Sequence, residues 1–168
     1  LVKAAESWVS LGLLSTKYQV LNEATNEYGA MMARPTDQRF NIGMFFSDYL
    51  PRNKNFKMYL NLMYASGLPF SVPGKALDAT YRQIRIPDYK RVDIGFSALL
   101  FDEHKKAVKT GLLKSFKTIW LSAEVFNLLG IENTLSYQWI QDFSSQKTYA
   151  VPNRLTSRLI NLKLAVKF

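Results

Sequence analysis

Residues 154–168 read RLTSRLINLKLAVKF, and within them Ile160, Leu162, Leu164, Val166 and Phe168 occupy every second position. Successive side chains of a strand point to opposite faces, so this stretch has one apolar face of five residues and an opposite face carrying Asn161, Lys163 and Lys167. The alternation runs to the last residue and predicts a strand that ends on its most hydrophobic side.

Working back from this segment, six others show the same period. QRFNIGMFFSDYL (residues 38–50) puts Phe40, Ile42, Met44 and Phe46 on one face, with Asn41, Gly43 and Ser47 on the other. FKMYLNLMYASG (56–67) puts Met58, Leu60, Leu62 and Tyr64 together, opposite Lys57, Asn61 and Gly67. The polar turn PRNKN joins the two. An antiparallel hairpin that pairs Phe46 with Leu60, Met44 with Leu62 and Ile42 with Tyr64 brings both apolar faces to one side, as register requires.

RVDIGFSALLFD (91–102) has Val92, Ile94, Phe96, Ala98 and Leu100 on its apolar face, against Asp93, Gly95 and Ser97. In FKTIWLSAEVFNLL (116–129), Ile119, Leu121, Ala123 and Val125 oppose Thr118, Ser122 and Glu124. TLSYQWIQDF (134–143) sets Leu135, Tyr137 and Trp139 against Ser136, Gln138 and Asp142. The first segment, SWVSLGLLST (7–16), alternates less cleanly, and SLGLLSTKYQVLNEA has a competing helical reading. Between strands, residues 20–37 and 68–90 are long connections without alternation. Frequent β-branched and aromatic residues and the failure of a 3.6 period predict an all-β, antiparallel unit without a domain break.

Composition narrows the chemistry. The 168 residues contain no cysteine, which removes thiolate metal sites, cysteine nucleophiles and disulfides. His104 is the only histidine and lies in the charged run DEHKK, a poor setting for an oriented base. Asp102 and Glu103 are adjacent and diverge when extended, so they make no acid and base pair. Neither GxxxxGK[ST] nor GxGxxG nor GxSxG occurs. The net charge of +9 is spread along the chain without a basic block interleaved with aromatics, which argues against a nucleic-acid partner. No apolar run reaches the roughly 18 residues of a membrane helix, and no signal-peptide pattern appears in these residues. The expectation is therefore a protein that is not an enzyme and has no cofactor or metal.

Alternation alone fits two architectures, a soluble lipocalin-like binder with its apolar set inward and a membrane barrel with its apolar set toward lipid. Segments of ten or more residues suit the roughly 9 to 11 of a tilted bilayer crossing better than the roughly 5 to 6 of ordinary strands. Tyr49, Tyr59, Tyr64, Trp120, Tyr137 and Trp139 fall toward segment ends, as interfacial aromatic girdles would. The membrane reading assigns Phe40, Ile42, Met44, Phe46, Leu60, Leu62, Val92, Ile94, Phe96, Ile119, Leu121 and Val125 to lipid. It assigns Asn41, Asn61, Asp93, Glu124, Gln138, Arg158 and Lys163 to a polar lumen.

RPTDQR (34–39), YASGLPFSVPG (64–74), RIPDYKRVDIGF (85–96), AEVFNLLGIENTLSYQW (123–139) and VPNRLTSRLINLKLAVKF (151–168), in this order and spacing, resemble the C-terminal barrel portion of TonB-dependent outer-membrane receptors of the Bacteroidetes kind. The resemblance implies about seven strands of an up-and-down transmembrane barrel of about 22, with the plug domain and N-terminal strands upstream. Seven is odd, and the start LVKAAES lacks Met, so the resemblance implies the end of a longer chain. It also implies an outer-membrane location and a role in active import of a ligand. The partners implied are outer-membrane lipid, the rest of the barrel and its plug, the TonB complex through missing segments, and the barrel assembly machinery. The last would read Ile160, Leu162, Leu164, Val166 and Phe168 as its C-terminal signal. Counting strands back from a periplasmic C-terminus puts PRNKN, 102–114 and 143–153 outside, and IEN and the two long connections in the periplasm.

Overall fold

A computed structural model describes residues 6–70, 84–103, 115–155 and 157–168. Fourteen strands occur among them: β1 Glu6–Leu13, β2 Lys17–Tyr18, β3 Leu21–Asn22, β4 Glu27–Tyr28, β5 Met32–Ala33, β6 Phe40–Leu50, β7 Asn53–Ala65, β8 Pro69–Phe70, β9 Ile84–Arg85, β10 Tyr89–Asp102, β11 Thr118–Phe126, β12 Thr134–Asp142, β13 Lys147–Arg154 and β14 Leu159–Lys167. No α-helix occurs among the described residues, and the helical reading of SLGLLSTKYQVLNEA gives way to β1 and two short strands.

Six strands form one antiparallel sheet in the order β1-β6-β7-β10-β11-β14. The hairpin register read from the sequence holds: Phe46 pairs with Leu60, Met44 with Leu62 and Ile42 with Tyr64. An apolar row then runs from β6 to β14 through Phe46, Leu60, Ile94, Val125 and Ile160, and meets Ser7 on β1. A bulge between Leu99 and Phe101 shifts the parity of β10, so Leu100 becomes the extra residue and Phe101 takes its place opposite Ile119.

The expected run of seven strands is corrected to six. TLSYQWIQDF does not join the sheet; β12 pairs with β13 in a separate two-stranded hairpin, and β14 takes the seat beside β11. The cause is local. Asn127 and Gly130 have left-handed φ of 51° and 65°, which turn the chain out of the sheet directly after Phe126. Ile160, Leu162, Leu164 and Val166 then extend the apolar rows opposite Val125, Ala123, Leu121 and Ile119. In TLSYQWIQDF the polar face is broken by Ile140, and no such continuous row would form.

One strand fewer also reverses the ends. The 51–52 turn lies at the same end of the sheet as Phe168, where Lys117 donates its amide to the Lys167 carbonyl at 2.7 Å. The opposite end carries three excursions: residues 14–39 with the pairs β2/β5 and β3/β4, residues 66–70 and 84–88 with β8/β9, and residues 127–155 and 157–158 with β12/β13. The sheet is open. Its edges are β1 and β14, so a closed barrel is not formed by these residues.

Candidate functional site

The two faces of the sheet are buried in the inverse of the usual sense. Phe101 is the only buried hydrophobic residue among those described, whereas Asp37, Ser47, Ser66, Asp93, Ser122, Asn127 and Asn133 are all buried. On the polar face Asp93 is 3% exposed and Ser122 9%; on the apolar face Phe96 is 52% exposed and Leu162 72%. Among the described residues, no layer covers the apolar rows.

The polar face packs against itself. Ser97 and Ser122 share a hydrogen bond of 2.8 Å, and Asn161 donates to Glu124 at 2.9 Å. Trp8, Phe45 and Tyr59 stack in a ladder with centroids 6.0 and 6.1 Å apart. The rings of Trp8 and Tyr59 lie over Gly43 and Gly95, where a Cβ on Gly95 would come within 2.0 Å of the Tyr59 ring. Tyr59 is thus mid-strand and part of this wall, a correction to its place in an end girdle. Asp93 is the hub. Its carboxylate accepts from Arg91 Nε at 2.7 Å, the Asn127 amide at 2.8 Å and Asn61 Nδ2 at 3.2 Å.

Of the residues expected in the lumen, Asn41, Asn61, Asp93, Glu124 and Lys163 share this face. Gln138 and Arg158 do not. Gln138 sits in the β12/β13 hairpin opposite Val151, and Arg158 lies ahead of β14 with its Nε donating to the Leu128 carbonyl at 3.1 Å. Tyr137 and Trp139 likewise leave the girdle, stacking on Phe70 with centroids 5.0 and 6.2 Å away. His104 lies outside the described residues, and among those described no group of three or more His, Cys, Asp or Glu is placed to hold a metal.

At the excursion end the bases of the three excursions are braced to one another. The Asp37 carboxylate accepts the Thr16 amide and pairs with Arg85, whose Nη1 also donates to the carbonyls of Asp37 and Gly67 at 2.7 and 2.9 Å. Asp88 accepts from the Tyr64 hydroxyl and from the Gly67 amide. The Thr16 amide and the Arg85 guanidinium hold the Asp37 carboxyl below the ordinary aspartate range, and Tyr64 and Gly67 do the same for Asp88. Asn133 donates to the Lys90 carbonyl and accepts the Lys90 amide, both at 2.8 Å. Its side chain thereby supplies β10 with the hydrogen bonds that β11, ending at Phe126, no longer reaches.

A shallow cleft of about 190 Å³ opens where the three excursions meet, between Gln38, Gly67, Leu68, Ile86, Leu135 and Leu155, and no charged residue lines it. Sequence reasoning named none of Asp37, Arg85, Asp88 or Asn133 individually. All four lie inside the stretches RPTDQR, RIPDYKRVDIGF and AEVFNLLGIENTLSYQW that carry the resemblance. No family model matches the chain, no curated protein is detectably similar to it, and no solved structure matches it.

Proposed function

We propose that the chain is the C-terminal part of a transmembrane β-barrel of the outer membrane, and specifically of a TonB-dependent receptor that imports a ligand. The observation that carries the membrane part is the burial inversion, with polar side chains packed on one face and large apolar side chains of all six strands exposed on the other, Leu11, Phe46, Phe56, Phe96, Leu121 and Leu162 among them. In water such a face would leave each large side chain roughly 1.5 to 3 kcal/mol short of its burial. Against hydrocarbon it is the favourable arrangement. The receptor assignment rests on the quoted resemblance, and the soluble lipocalin-like alternative would need the same face to enclose a cavity.

On this reading β1 and β14 are not free edges but seats for the remaining strands of the barrel, since unpaired backbone groups in lipid cost several kcal/mol each. Six is an even count, so the chain enters and leaves at the same end, the periplasmic one if Phe168 is periplasmic. The three excursions are then extracellular, which reverses the assignment obtained by counting seven strands for the two long connections and IEN and keeps it for 143–153. The import partners, lipid, plug and TonB complex, follow with the receptor.

The test uses the absence of native cysteine in these residues. Single cysteines at 121–125 in the full-length protein, spin-labelled and reconstituted in lipid, should alternate: Leu121, Ala123 and Val125 accessible to oxygen dissolved in the bilayer, Ser122 and Glu124 to an aqueous relaxant or to neither. Equal accessibility of all five to the aqueous relaxant would refute the membrane reading.

A further inference from the structure

The geometry points to the three excursions acting as one cooperative unit, closed by Arg85 and Asn133, rather than as three independent loops; this holds whether or not the apolar face meets lipid. Loops that leave a sheet separately open with separate free energies, unless their bases share contacts that must all break together. Here they do. Arg85, from the second excursion, bridges three acceptors, two on Asp37 in the first and the Gly67 carbonyl in its own. Gly67 cannot retreat from this junction, because its Cα lies so near the Ile86 carbonyl that a Cβ would fall 1.7 Å from the oxygen. Its amide is also tied to Asp88.

The third excursion closes onto the second from the other side. Asn133 clamps both backbone groups of Lys90, the second residue of β10 and two residues past Asp88, and its own carbonyl accepts the Leu155 amide at 2.9 Å. Phe70 of β8 lies against Tyr137 and Trp139 of β12. Contacts thus link Thr16 to Leu155, through the first residues of β10 at Asn133 and directly between the second and third excursions at Phe70. An isolated two-stranded hairpin such as β12/β13 is marginal in water, so its order depends on this seat. A partner meeting any one excursion meets a preorganised surface made of all three, with a lower ordering cost.

Hydrogen exchange read by mass spectrometry on the full-length protein tests this. In the wild type, peptides covering 16–38, 66–70 with 84–90, and 127–155 should share one opening free energy, while β6 and β7 open less often. Arg85→Gln should speed exchange in all three groups together, by roughly ten- to a hundredfold as expected for loss of charged hydrogen bonds, and Asn133→Ala should do the same from the other side. Acceleration confined to 16–38 and 66–90 in Arg85→Gln, with 127–155 unchanged, would overturn the inference. So would wild-type opening rates that differ more than tenfold among the groups, a comparison that decides the matter even if a variant does not fold.

Discussion

Gly67 sits where no side chain fits. Its Cα approaches the Ile86 carbonyl too closely for any side chain, while its amide and carbonyl both serve the braces at the excursion end. Gly67→Ala must push backbone against backbone, and is expected to destabilise by roughly 1 to 3 kcal/mol. The readout is the urea midpoint of the detergent-solubilised protein, followed by tryptophan fluorescence. The carboxylates beside it set a pH dependence. Because Asp37 and Asp88 have depressed folded-state pKa values, their contribution is present above the ordinary aspartate value of about 3.9 and is lost as pH falls through the lower folded values. A fluorescent label at Val20→Cys should therefore report no change between neutrality and about pH 4, and loosening below it. Asp37→Asn should loosen the same segment already at neutral pH.

At the scale of elements, the β6–β7 turn shows strain that the sequence does not advertise. Arg52 has φ of 68°, directly after Pro51, the position where a turn of this kind favours glycine. Arg52→Gly should raise stability by roughly 0.5 to 1 kcal/mol, the relief of left-handed strain less the extra freedom of the unfolded glycine; an unchanged urea midpoint would mean that Arg52 makes a compensating contact. What could be read in advance follows from periodicity. Where a strand has one clean apolar face, as in β6, β7, β11 and β14, its existence could be inferred, and for β6 and β7 the partner too, down to the Phe46–Leu60 register; the pairing of β11 with β14 could not. Where order depends on single polar side chains reaching across tens of residues, it could not. Asn133 replacing a strand beside Lys90 has no periodic signature, and TLSYQWIQDF alternates like a sheet strand except at Ile140, so neither its exclusion from the sheet nor the resulting arrangement of the two ends could be read in advance. The bulge at Leu100 is hidden for the same reason, since alternation continues through it in the sequence.

At the scale of the whole molecule, the sheet has two faces whose tolerance to charge should differ by depth if the apolar one meets lipid. Leu62 lies opposite both Met44 and Val92, inside the apolar field, whereas Leu13 lies at the excursion end opposite Phe40. In a bilayer, arginine at the midplane costs roughly 2 to 4 kcal/mol and near the interface roughly 0 to 1. Leu62→Arg should thus destabilise the reconstituted full-length protein by roughly 1 to 4 kcal/mol more than Leu13→Arg, measured by denaturant titration of folding into vesicles. A soluble protein whose apolar face lined a water-excluded core would carry no bilayer-depth gradient between the two ends of a strand. A similar loss at both positions would therefore turn the apolar rows inward, and would leave the even strand count and the uncovered edges β1 and β14 to be explained by association with another copy of the chain.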